Sequence, residues 1–252
     1  MMKKVLVSLF VAFAFGSALF AQGASKKDDD KNPTLSIKLR IYRWSVSNSI
    51  VLPDHTGNQR RSSTRNPITD LWYKDKDAQW KSIPMASGGI TKEFEYNGPP
   101  NLEFYMRNPK AKRDDKDAFK SVGRVMLPFN TESLFLLMIQ RGERARFFPM
   151  NVSPKVLPKD RVAVLNMTAQ NIGVNMGDNN TILRAGGYGI YKPVSDDESA
   201  SQFKIFKYDQ ERWRPVYEGN IVPNEEKRCM LLVYDPYGNP KYPKFSVQIV
   251  YF

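Results

Sequence analysis

The side chains that most enzymes rely on are scarce: the chain has one histidine, His55, and one cysteine, Cys229. That excludes zinc sites built on Cys and His, an intrachain disulfide, and every histidine-dependent dyad or triad not centred on His55. His55 sits in Leu52-Pro-Asp-His-Thr-Gly-Asn58, where Asp54 would point away from it along an extended chain. No Gly-x-Ser-x-Gly elbow supplies a nucleophile, so His55 reads as a loop histidine. Cys229 opens the apolar run Cys229-Met-Leu-Leu-Val-Tyr234 on the side of Leu231 and Val233, where a thiol behaves as a small buried hydrophobe.

Paired carboxylates need neither residue, because two acids flanking a sugar suffice for glycoside hydrolysis. Glu93 and Glu95 alternate away from Phe94 and Tyr96, and Asp196-Asp197-Glu198 lies in a serine-rich stretch. Both patterns are those of solvated surface. Arg184-Ala-Gly-Gly-Tyr-Gly-Ile190 lacks the Lys-Ser/Thr of a phosphate loop and reads as a bulge or tight corner. Asp178-Asn-Asn-Thr181 lacks the alternating oxygen ligands of a calcium loop. No catalytic residue, metal site or cofactor is assigned, and the expectation is a protein that is not an enzyme, with a carboxylate-pair glycosidase as a distant alternative.

Binding chemistry has more to work with. Three basic clusters fall in expected turns: Arg60, Arg61 and Arg65; Lys110, Lys112 and Arg113; and Arg144 and Arg146. Loops at one end of a sandwich can converge, so these eight are the candidate polyanion-binding residues. Among Trp44, Trp72, Trp80 and Trp213, Trp72 is the candidate for stacking on a sugar ring, whereas Trp80 and Trp213 are expected as buried anchors of two similar hairpins.

The elements that would position these residues begin after residue 33. Met1 to Lys4 carries two positive charges, Val5 to Phe20 is uncharged and apolar, and Ala21-Gln22-Gly23 has the small residues of a cleavage site. Residues 1–24 thus read as a secretory signal peptide, too short in its apolar run for the roughly 20 residues of a membrane span. No other stretch reads as a transmembrane helix. Loss of Lys3 and Lys4 leaves +10 of the formal +12, a strongly basic mature chain. Export replaces nucleic acid as the expected partner with anionic envelope polysaccharide or another envelope protein. Residues 25–33 form a charged tether.

Further along, apolar residues recur with period two, as in Leu35, Ile37, Leu39 and Ile41, or Phe245, Val247, Ile249 and Tyr251. Seventeen prolines and fifteen glycines punctuate these runs, and no amphipathic helix is evident. The pattern predicts an all-β protein of antiparallel sandwiches. Two hairpins recur in order. Leu71-Trp72-Tyr73 with Trp80-Lys-Ser-Ile83 resembles Ile205-Phe206-Lys-Tyr208 with Trp213-Arg-Pro-Val216, and the Leu134–Ile139 and Phe147–Val152 strands resemble Met230–Tyr234 and Phe245–Ile249. The expectation is two tandem antiparallel, immunoglobulin-like β-sandwich domains, 34–152 and 161–252, joined by a proline-containing linker, 153–160.

In these features, with the alternating opening strand Val162-Ala-Val-Leu-Asn-Met167, the chain resembles uncharacterised exported two-domain β proteins of Gram-negative bacteria. The resemblance implies fold and localisation and brings no activity. The expected role is a structural or interaction module of the periplasm or cell surface, with an acidic-polysaccharide binder as the alternative.

Overall fold

Alternation along the first strand decides the architecture. In β1 (Leu35–Trp44), Ile37, Leu39 and Ile41 point to one side and Tyr42 and Trp44 to the other, and all five are buried. A strand that buries both faces lies inside a stack of sheets rather than on its outside. The computed structural model describes residues 34–44, 51–53, 59–61, 68–85, 89–112, 115, 117–194, 200–209, 211–222, 226–236 and 244–252, with backbone alone for 51–53 and 59–61.

The chain is all-β. Its first half contains β1, the small hairpin β2 (Val51–Pro53) and β3 (Gln59–Arg61), then β4 (Asp70–Lys74), β5 (Trp80–Pro84), β6 (Phe94–Gly98), β7 (Asn101–Arg107), β8 (Phe119–Met126), β9 (Ser133–Arg141) and β10 (Arg144–Asn151). The second half contains β11 (Val162–Asn166), β12 (Ile172–Met176), β13 (Asn179–Leu183), β14 (Tyr188–Tyr191), β15 (Ser201–Asp209), β16 (Arg212–Ile221), β17 (Cys229–Tyr234) and β18 (Ser246–Tyr251). Among the described residues, sixteen of these strands form four four-stranded sheets, a first inner sheet β10-β9-β1-β6, a first outer sheet β5-β4-β7-β8, a second inner sheet β14-β11-β17-β18 and a second outer sheet β13-β12-β15-β16, while β2 and β3 pair only with each other.

Each inner sheet packs one face on its own outer sheet. Leu39, Leu136, Leu71 and Phe104 meet in the first core, and Val164, Leu231, Val174 and Phe203 in the second. The other faces of the two inner sheets share a third core, where Tyr42, Phe135 and Leu137 meet Leu165, Met230 and Leu232. This explains why β9 and β17 read as continuous apolar runs: Ser133–Met138 and Cys229–Val233 are buried at every position. Residues from Pro33 to Phe252 consequently form one compact unit. The 153–160 segment is packed as well, with Leu157 in the third core and its carbonyl accepting from Arg228 Nε at 2.8 Å.

Pairing is not wholly antiparallel as expected. β1 runs parallel to β9, and β11 runs parallel to β17. β2 to β8 lie between β1 and β9 in the sequence and β12 to β16 between β11 and β17, and that length of chain allows the crossover a parallel pair requires.

The same order of connection occurs twice once the small hairpin is set aside: β1, β4, β5, β6, β7, β8, β9 and β10 hold the sheet positions of β11 to β18 in turn. Bulges fix the register of the outer sheets: Val122 of β8 is the extra residue opposite Phe104 and Tyr105, and Val216 of β16 is the extra residue opposite Ile205 and Phe206. Aligned on the bulge, Tyr105 corresponds to Phe206, Phe119 to Trp213 and Gly123 to Tyr217. Tyr105 pairs with Trp72 and Phe206 pairs with Gly173, so Trp72 corresponds to Gly173.

This corrects the equivalence expected from the hairpins. The Leu136 and Leu231 strands do hold equivalent positions, but the Trp80 hairpin, β4–β5, corresponds to β12–β13 and not to the Trp213 hairpin, β15–β16. Nor are both tryptophans buried anchors: Trp80 is half-buried and Trp213 is 38% exposed, because both project from the outward faces of outer sheets. A similar local pattern of aromatic strand, charged turn and tryptophan had arisen in two different strand pairs.

Candidate functional site

On the outward face of the first outer sheet, rings consume one another's surfaces. Trp80 stacks on Phe119 with centroids 3.7 Å apart, Tyr105 meets Trp80 edge-on at 5.0 Å, and Trp72 meets Phe119 edge-on at 5.3 Å. Lys74 Nζ lies 4.9 Å over the Trp80 ring. Trp72, the candidate sugar-stacking residue, is therefore half-buried in an aromatic cluster, and its Nε1 is enclosed without a hydrogen-bond partner. Beside the cluster, Glu103 accepts from Ser121 Oγ at 2.5 Å and from Tyr105 Oη at 2.8 Å. These two hydrogen bonds hold the Glu103 carboxyl below its ordinary range, whereas burial and the neighbouring carboxylate push the Tyr105 phenol up to about 12. The face is closed.

The second outer sheet has the same slots with different residues. Gly173 stands where Trp72 stands, and Asn180, which accepts from Asn175 Nδ2 at 2.8 Å, stands where Trp80 stands. With those two rings absent, Trp213 lies across the glycine: a Cβ on Gly173 would meet Trp213 Cε3 at 3.3 Å and Phe206 Cβ at 3.1 Å. Tyr208 sits 5.3 Å from Trp213 at an interplanar angle of 59°. Ile182 and Tyr208 are 59% and 57% exposed. Lys204, ion-paired with Glu218 at 3.2 Å, occupies the same outward side of the sheet. This arrangement is an open apolar and aromatic strip bordered by charge, suited to packing against a flat ligand. Sequence reasoning had assigned Trp213 to the core; the glycine beneath it was visible in the sequence but its pairing partner was not.

Of the candidate polyanion-binding residues, Arg60 and Arg61 pair through their backbone with Leu52 and Val51, while their side chains, and all of Arg65 and Arg113, lie outside the described residues. Lys110 and Lys112 are exposed in the β7–β8 turn, which is tied by Asn108 Oδ1 and Asp115 Oδ2. Arg144 and Arg146 are exposed at the start of β10, while Ala145 between them turns inward. An ion pair between Lys120 Nζ and Glu143 at 2.5 Å joins the start of β8 to the β9–β10 turn. It brings the Lys110 and Arg144 clusters to one end of the first half, and Glu143 offsets part of their charge.

The residues weighed for catalysis occupy ordinary positions where they are described. Glu93 faces Arg40 at 3.8 Å and Lys38 at 4.0 Å on an exposed surface. Cys229 is buried with Leu231 and Val233, and burial, partly offset by a hydrogen bond with Tyr251, raises its thiol to about 12. A thiol so protonated is a poor nucleophile. The glycine-rich stretch forms a tight corner in which Gly186, at φ +72°, leads into β14. Buried Asn166 fastens that corner, donating through Nδ2 to the carbonyls of Gln170 (2.7 Å) and Arg184 (2.9 Å) while its Oδ1 accepts from Thr168. His55 and the Asp196–Glu198 acids lie outside the described residues. Among the described residues no three His, Cys, Asp or Glu side chains are grouped to hold a metal, and no helix is long and apolar enough to cross a membrane.

Fold and surface thus define an all-β protein with one closed and one open aromatic sheet face. No protein-family model matches the chain, and no curated protein matches it.

Proposed function

We propose that this is an exported, non-catalytic interaction protein of the bacterial periplasm or cell surface. In this reading it is built from two tandem immunoglobulin-like β-sandwich domains of common origin, and the open face of the second holds an acidic polysaccharide of the envelope. The signal-like residues 1–24 and the +10 charge of the remainder support export and an anionic partner. One observation carries the choice of ligand: the Trp72 slot is emptied to Gly173 in the second half, so Trp213 has only Tyr208 beside it in place of the Trp72, Trp80 and Tyr105 rings that cluster with Phe119 in the first, and it stays 38% exposed. An aromatic ring with a free face offers the apolar side of a pyranose a large, rigid contact.

The test is electrophoresis through gels containing a uronic-acid polymer or a sulfated dextran. Wild type should be retarded, Trp213→Ala should bind about tenfold more weakly, the equivalent of roughly 1.4 kcal/mol, and Trp72→Ala should match wild type. Equal retardation of Trp213→Ala and wild type would reject this face as the binding site.

A further inference from the structure

We propose that β18 is a docking edge for a second copy of this chain, the two copies pairing β18 against β18 antiparallel about a two-fold axis. The inference stands on a different surface from the polysaccharide face.

Among the described residues, β18 has a strand neighbour, β17, on one side only. An edge strand displays unpaired N–H and C=O groups, and proteins blunt such edges with charge, proline or covering chain. The other long edges here follow that rule. β10 carries Arg144, Arg146 and Pro149, β16 carries Arg212, Arg214 and Pro215, and β8 carries Lys120 and Arg124. The uncharged edges β13 and β14 are five and four residues long and meet through the hydroxyls of Thr181 and Tyr191 at 2.5 Å. By contrast β18, Ser246-Val-Gln-Ile-Val-Tyr251, has six residues with neither charge nor proline.

The two halves also differ in closure. In the first, β8 lies directly beside β10, because Gly123 lets it approach the Ala145 carbonyl; a Cβ there would stand 2.3 Å from that oxygen. Tyr217 holds the Gly123 position in the second half, where its ring stacks on Phe203 at 5.7 Å and takes the space a closing strand would need. On β18 the side that faces the second core is buried at the preceding Phe245, 7% exposed, and opens along the strand to Ile249 and Tyr251 at 36% and 37%, with Tyr251 Oη donating to the Val222 carbonyl at 3.2 Å. The strand is self-complementary along its free edge. Antiparallel pairing centred on Ile249 sets Ile249 opposite its symmetry mate, Val247 opposite Tyr251 and Gln248 opposite Val250, an isologous contact with no charge facing charge.

Sedimentation velocity on the mature chain should show a dimer whose population rises with salt, since two copies at +10 each repel and salt screens that repulsion. Polysaccharide binding should fall with salt, so failure of one proposal is distinguishable from failure of the other. Ile249→Lys sets two lysines opposite each other and should weaken dimerisation about a hundredfold or more. Ile249→Cys should give a disulfide-linked dimer under mild oxidation, whereas Tyr188→Cys on the β14 edge should not. A wild type that stays monomeric at high salt, an Ile249→Lys chain that dimerises as wild type does, or equal cross-linking at 188 and 249 would overturn the proposal.

Discussion

Phe135→Ala is expected to lower the unfolding free energy by about 3–5 kcal/mol, against a total of roughly 5–15 kcal/mol for an ordinary domain. Phe135 is fully buried in the layer between the inner sheets, with its ring 4.6 Å from Phe252 and 6.0 Å from Tyr42. Truncation leaves a cavity between two sheets that cannot easily collapse, since each is fixed by its own core on the far side. The consequence reaches both halves. Tyr42, Leu137, Leu165 and Leu232 are buried only while the third core persists, so loss of one half exposes an apolar sheet face of the other. Urea unfolding followed at Trp72 or Trp80 and at Trp213, in variants retaining only the reporting tryptophan, should therefore give coincident transitions, both moved to lower urea by Phe135→Ala. Two separated transitions, with only the first displaced, would show halves that fold independently.

Gly123→Val is expected to disrupt the first half still more directly. Even a Cβ at this position stands 2.3 Å from a main-chain oxygen, Ala145 O, and 3.1 Å from Phe147 Cε2. Backbone cannot rotate away as a flexible side chain could, so β8 or β10 must shift and disturb the packing of Phe147 on Phe104, whose centroids are 4.4 Å apart. Overpacking of this kind costs about 1–3 kcal/mol or more. Thermal denaturation should show a marked loss of stability for Gly123→Val and a smaller loss for Gly123→Ala. A wild-type melting temperature for Gly123→Val would mean that β8 does not lie against β10.

The all-β character was legible in the sequence because period-two patterning is local, and so was the equivalence of the Leu136 and Leu231 strands, whose continuous apolar runs already imply burial on both faces. The parallel pairing of β1 with β9 left no local trace, because it joins residues about a hundred positions apart, such as Ile41 and Leu136. Trp213 was misread for the same reason. A tryptophan after a charged turn looks alike in β5 and β16, and only long-range pairing tells which sheet it belongs to and whether Trp72 or Gly173 lies beside it. Arg144 and Arg146, expected in a turn, stand in β10 on the exposed side of Ala145, and their approach to the Lys110 turn depends on the Lys120–Glu143 pair, a contact between sheets.

The four tryptophans allow a direct test of the open face, because each indole N–H gives its own NMR signal and the four lie in different places. Trp44 is buried in the central layer, Trp72 and Trp80 lie in the closed cluster, and Trp213 lies over Gly173. Titration with an acidic oligosaccharide should move the Trp213 signal in a saturable manner and leave the other three in place. Movement of the Trp72 or Trp80 signals with Trp213 unmoved, or no movement of any of the four, would contradict the assignment of the second outer sheet as the ligand-binding face.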